Sequence, residues 1–89
     1  MMIHRKGDWL AAKVGDELVM MSAAKGNYIG LSEVGARIWE LIDSPRTIES
    51  VCDALVAEYD VDPVTCRAEV DAFLANLDQH GAVQIDESA

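Results

Sequence analysis

Histidine is scarce in this sequence: His4 and His80 are the only two, and neither stands beside a cysteine, serine or carboxylate at a spacing that builds a triad or a metal site. There is no GxGxxG, no P-loop and no GxSxG, so the phosphate-cradling loops and nucleophile elbows of common enzymes are missing. The two cysteines, Cys52 and Cys66, fall at apolar positions without a CxxC pair, which predicts buried free thiols and no zinc site. The opening MMIHRKGDW lacks the apolar stretch of a signal peptide, and no run reaches membrane-spanning length; a cytoplasmic protein is expected. Cations are few as well. Seven Lys and Arg against sixteen Asp and Glu give a formal charge of -9, the reverse of the balance that displaces phosphate counterions, so nucleic acid is a poor partner. A basic peptide, or a basic patch on an enzyme, would be drawn to such a surface.

What is present suffices for a core. The 89 residues are 51% hydrophobic and 26% charged, a globular balance, and their number predicts one domain over 1–89 with its core at about 9–85. A domain this small buries only about 60 to 65% of its unfolded surface, so a partner that completes it is expected.

From Trp9 onward the pattern is that of short strands. "WLAAKV" leads into Gly15 and Asp16, a turn signal; "ELVMMS" breaks at 23–26; "NYIGL" follows. This predicts a three-stranded antiparallel meander whose outer strands leave backbone groups unpaired. Ser32 then caps a helix with Val34, Ile38, Leu41 and Ile42 on one face and Trp39 beside them, ending near Pro45. Thr47 caps a second, with Ile48, Val51, Cys52, Leu55, Val56 and Tyr59 at helical spacing. Asp62 and Pro63 open a third, in which Cys66, Val70, Phe73 and Leu77 form the expected core stripe and Gly81 the stop. "AVQI" reads as a short terminal strand and "DESA" as a solvated tail. The class is α+β: three strands, then three helices against one face of the sheet.

Helices two and three also look like a helix-turn-helix. In a winged-helix-like reading the third would be the recognition helix, yet it offers Arg67 against Glu69, Asp71 and Asp78, which repel phosphate. Catalysis finds no support either: the carboxylates are scattered opposite the apolar stripes, no cofactor is implied, and function falls to binding. Three classes remain: a peptide-binding adaptor, an acidic winged-helix-like regulatory protein, and a module that oligomerises through a strand edge.

The order of certain residues sharpens this. "GNYIGLSEVGARIWELI", "SPRTIESVCDALVAEYDVD" and "VDAFLANLDQHGAV" resemble the PqqD-like domains, named after the pyrroloquinoline quinone biosynthesis chaperone and also called RiPP recognition elements. The likeness runs over roughly 9–83 and rests on Tyr28, Leu31, Ser32, Gly35, Ile38, Trp39, Pro45, Thr47 and Gly81. Ser32 stands where that family often has Asn, and both cap well. The resemblance implies a winged-helix-like fold and a non-catalytic chaperone that binds the leader of a ribosomally made precursor peptide. The leader adds as a strand beside the third strand, in a groove closed by the third helix, and is presented to a radical-SAM enzyme, a leader peptidase or a cyclase. On that reading Lys25, Asn27, Tyr28, Ile29 and Gly30 form the pairing edge, while Arg67, Asp71, Leu74 and Asp78 line the groove. The open edge also permits a homodimer.

Overall fold

A computed structural model describes residues 2–86. Chain order is β1 (Met2–Arg5), β2 (Trp9–Val14), β3 (Glu17–Ser22), β4 (Asn27–Leu31), α1 (Glu33–Leu41), β5 (Arg46–Thr47), α2 (Ile48–Glu58), α3 (Pro63–Gln79) and β6 (Val83–Asp86). The expected meander is present as an antiparallel sheet ordered β2-β3-β4. Its first turn joins Val14 to Glu17 through Gly15, whose φ of 65° is the one positive value a II′ hairpin requires at that position. The second turn is held from outside. Asp8 accepts hydrogen bonds from the Ser22 hydroxyl at 2.7 Å and the Ala24 amide at 3.0 Å.

The three helices start where their caps predict. Ser32 accepts from the Gly35 amide, Thr47 from Ser50 and Asp62 from Thr65, each side chain satisfying one donor that the first turn leaves without an intrahelical partner. Ile38, Trp39, Leu41 and Ile42 of the first stripe are buried, as are Ile48, Val51 and Leu55 of the second. Contacts with β3 and β4 set α1 on the inner face of the meander, α2 packs on α1 and α3, and α3 also meets β6.

A second sheet departs from the expected plan. The first residues pair: β1 lies between β5 and β6, with Ile3 opposite Ile85 and Arg5 opposite Val83. The core therefore begins at Ile3, which is fully buried, rather than at Trp9. Arg5 fastens this sheet to α1: its guanidinium carbon sits 4.4 Å from the Trp39 ring centroid and its Nε donates to the Trp39 carbonyl at 3.1 Å. The expected terminal strand exists as β6, and Asp86, read as part of the tail, closes it against His4 at 2.9 Å; the rest of "DESA" lies outside the described residues.

Candidate functional site: an open strand edge beside a helix

Side chains alternate along β4. Ile29 and Leu31 enter the core, while Tyr28 (71% exposed) and Gly30 face out. The backbone alternates too, and the β2–β3 turn fixes its phase. A two-residue hairpin makes Val14 and Glu17 a hydrogen-bonded pair, so Glu17, Val19 and Met21 direct their backbone groups to β2, and Leu18, Met20 and Ser22 direct theirs to β4. The Ser22 carbonyl, which accepts from the Gly26 amide at 2.8 Å, points as this demands. Across the register Leu18–Leu31, Met20–Ile29 and Ser22–Asn27, the odd-numbered residues of β4 therefore pair inward. The N–H and C=O of Tyr28 and Gly30 point to the open edge.

α3 is tied to the elements that flank that edge, the turn before β4 and the first turn of α1 after it. At one end Lys25 Nζ donates to the His80 carbonyl at 2.8 Å, and the His80 ring meets Trp9 edge-on with centroids 6.4 Å apart. At the other the half-buried Phe73 crosses the first turn of α1 at Gly35, where a Cβ would lie 3.0 Å from its ring and 3.5 Å from Leu31 Cβ. Phe73, Asn76 and His80 follow one another at i, i+3 and i+7 and so share one face of α3, with about 10 Å of helix rise between the first and the last. Beyond Leu31 a cavity of about 150 Å³ opens among Ser32, Gly35, Ile38, Val61, Cys66, Val70 and Phe73, with Glu69 its one acidic lining residue.

The residues expected in the groove divide accordingly. Lys25, Asn27, Tyr28, Ile29 and Gly30 do share the edge and its turn, but Asn27 and Ile29 bond to β3, and the Lys25 ammonium is held by α3. Arg67, Asp71, Leu74 and Asp78 are not brought to it. They border a different hollow with Ile48, Ala75 and Ile85, on the flank of α3 turned toward the second sheet. The reason is rotational: the buried stripe is Cys66, Val70, Leu74 and Leu77, with Leu74 only 1% exposed, so Phe73 is the shoulder that meets α1. A step of one residue turns the helix by roughly 100°. Arg67 bonds instead to Asp71 at 3.1 Å, and that hydrogen bond raises its pKa while both stay exposed. A signal for Phe73 was available in Gly35, since a glycine inside a helix, about 1 kcal/mol worse than alanine, marks a close neighbour.

Charge and thiols add little chemistry at the edge. Hydrogen bonds from Ser22 and then Ala24 hold the Asp8 carboxyl below its ordinary range, which keeps the turn before β4 clasped. Burial, and next the nearby Cys66, push the Cys52 thiol up and away from reactivity. Among the described residues no three His, Cys, Asp or Glu converge as a metal site, and no helix is long and apolar enough to cross a membrane.

Comparison with known proteins bears out the fold. No curated protein matches the chain. A solved structure of TbiB1 in complex with the TbiA(beta) leader peptide is 32% identical, with a TM-score of 0.82 over 93% of this chain and 99% of that one. A lasso peptide synthetase B1 complexed with the leader peptide is 18% identical and shares the fold, at a TM-score of 0.82 over 93% and 98%. The family described as coenzyme PQQ synthesis protein D matches residues 17–83, and the chain belongs to it.

Proposed function

We propose that this protein is a non-catalytic adaptor, acting as one domain over 1–89, that binds the leader of a ribosomally made precursor peptide and presents it to a modifying enzyme. The leader adds as a fourth strand to the meander, pairing with the outward backbone groups of Tyr28 and Gly30. Guest side chains opposite Ile29 and Leu31 then point in toward Phe73 and Asn76 of α3, and the others point out. An apolar guest residue beyond Leu31 fills the cavity beside Phe73. The observation that carries this reading is the open edge of β4, flanked on both sides by elements tied to α3; the 32% identical TbiB1, solved with a leader peptide, supports it. A net charge of -9 speeds encounter with a basic leader. The site of action is the cytoplasm, where precursor chains are made, and the enzyme served is a radical-SAM enzyme, a leader peptidase or a cyclase.

The acidic regulatory reading has less to stand on, because Arg67, the cation of α3, is engaged by Asp71. Fluorescence anisotropy of a labelled precursor leader against the purified protein separates the two. Saturable leader binding at a concentration where a DNA duplex leaves no signal supports the adaptor, and the opposite ranking overturns it.

A further inference from the structure

The cavity beyond Leu31 has an apolar floor and one charged group at its mouth. From α3 it is lined by Cys66, Glu69, Val70 and Phe73, which at i, i+3, i+4 and i+7 share one face of the helix. Cys66 and Val70 are buried and form the floor with Ile38 of α1 and Leu55 of α2, whereas Glu69 is exposed and stands at the opening. Tyr59 and Phe73, both half-buried, add two rings to the same lining. Neighbouring carboxylates are already engaged: Asp62 caps α3, Asp71 is paired with Arg67, and Glu58 with Arg37. Among the described residues no ion pair includes Glu69.

The geometry points to Glu69 as a specificity residue that pairs with a Lys or Arg of the leader, next to the apolar anchor in the cavity. The inference rests on the strand-addition reading above and adds the charge chemistry that the site selects. A hollow of about 150 Å³ is of the size that stays dry and holds a single benzene ring. One apolar anchor therefore fills it, and a charged head stays at the mouth. An adjacent Lys or Arg can lay its methylene stem on the half-buried Phe73 and bring its cation to Glu69. Ring and carboxylate then attract the same group, and no cation of this chain competes for it. Glu69 stands one helical turn from Phe73, about 5 Å along the axis, and two residues of extended guest span about 7 Å. The leader cation thus falls within two residues of the anchor. A net charge of -9 draws any basic peptide, but Glu69 distinguishes where in the peptide the charge lies, and an acidic residue there is repelled.

The test titrates the purified full chain against the synthetic leader of the precursor encoded beside it, and against leaders in which each Lys or Arg in turn becomes Gln. Glu69→Gln keeps the shape and helix propensity of the side chain and removes its charge. Asp53→Asn removes an equal charge two residues from Leu55, hence on the far side of α2, and measures the effect of net charge alone. Glu69→Gln should weaken leader binding about three- to fivefold, as for an exposed ion pair, and Asp53→Asn by less than about 1.5-fold. One leader cation should cost a similar factor against wild type and almost nothing against Glu69→Gln, the coupling of a direct pair. Wild-type affinity in Glu69→Gln, equal losses in the two protein variants, or no leader cation coupled to Glu69 overturns the inference while leaving strand addition intact. Wild type that does not bind the leader overturns the strand-addition reading, and the inference with it.

Discussion

Lys25 and His80, 55 positions apart in the chain, are joined by a 2.8 Å hydrogen bond from the lysine ammonium to the histidine carbonyl. The bond places a cation at the negative end of α3 and ties the turn before β4 to the end of the helix beside it. It lies directly over Gly81, where a Cβ would come within 2.5 Å of Nζ; the glycine, at φ 73°, leaves room for the clasp.

Lys25→Met keeps the aliphatic stem and removes the clasp. Leader dissociation should accelerate by about two- to fivefold with little change in association, because the groove is still there but less firmly spaced. Surface-immobilised leader with the variant in flow reads both rates, and unchanged dissociation would remove Lys25 from the account.

Backbone phase gives a sharper contrast. Tyr28→Pro deletes an N–H that points to the open edge, a substitution an edge strand tolerates, whereas Ile29→Pro deletes one that bonds β3. Tyr28→Pro should bind leader about tenfold more weakly than Tyr28→Ala, the worth of one hydrogen bond at about 1.4 kcal/mol, at similar thermal stability. Ile29→Pro should lower stability even without leader. Equal affinities for the two Tyr28 variants would contradict pairing at that residue.

Gly35→Ala should separate binding from stability. The new methyl gains about 1 kcal/mol of helix propensity but drives the Phe73 ring from its seat, and the two effects oppose each other in unfolding. The displaced ring has the groove to move into. Urea midpoints within about 1 kcal/mol of wild type, together with leader affinity reduced about tenfold, are expected; unaltered affinity would place the leader away from Phe73.

How far the sequence could be read follows from these same residues. Helix starts at Ser32, Thr47 and Asp62 were legible because capping is local, and the meander because Gly15 and Gly26 mark its turns. β1 was not: its four residues show no clear alternation, and its partner β6 lies some eighty residues downstream, so only the folded chain reveals the pairing. The groove side of α3 turned on whether Phe73 or Leu74 belongs to the buried stripe. Both fit a 3.6-residue period, and packing against Gly35 decided it.

Acid should loosen the turn before β4. The Asp8 carboxyl, bonded by Ser22 and Ala24, is held below its ordinary value of 3.8, so its contribution is complete above that value and is lost as pH falls through the lowered one. Thermal unfolding of wild type should fall more steeply below about pH 4 than that of Asp8→Asn, which is less stable than wild type at neutral pH. Parallel pH profiles would show that the carboxylate does not hold the turn.

Amide hydrogen exchange, followed residue by residue with and without saturating leader, reaches the central claim most directly. An added strand should slow exchange at Tyr28 and Gly30, whose amides face the open edge, and leave Ile29, already bonded to β3, little changed. New protection confined to the free edge of β2 or to the Arg67 flank of α3, with Tyr28 and Gly30 still exchanging freely, would contradict it.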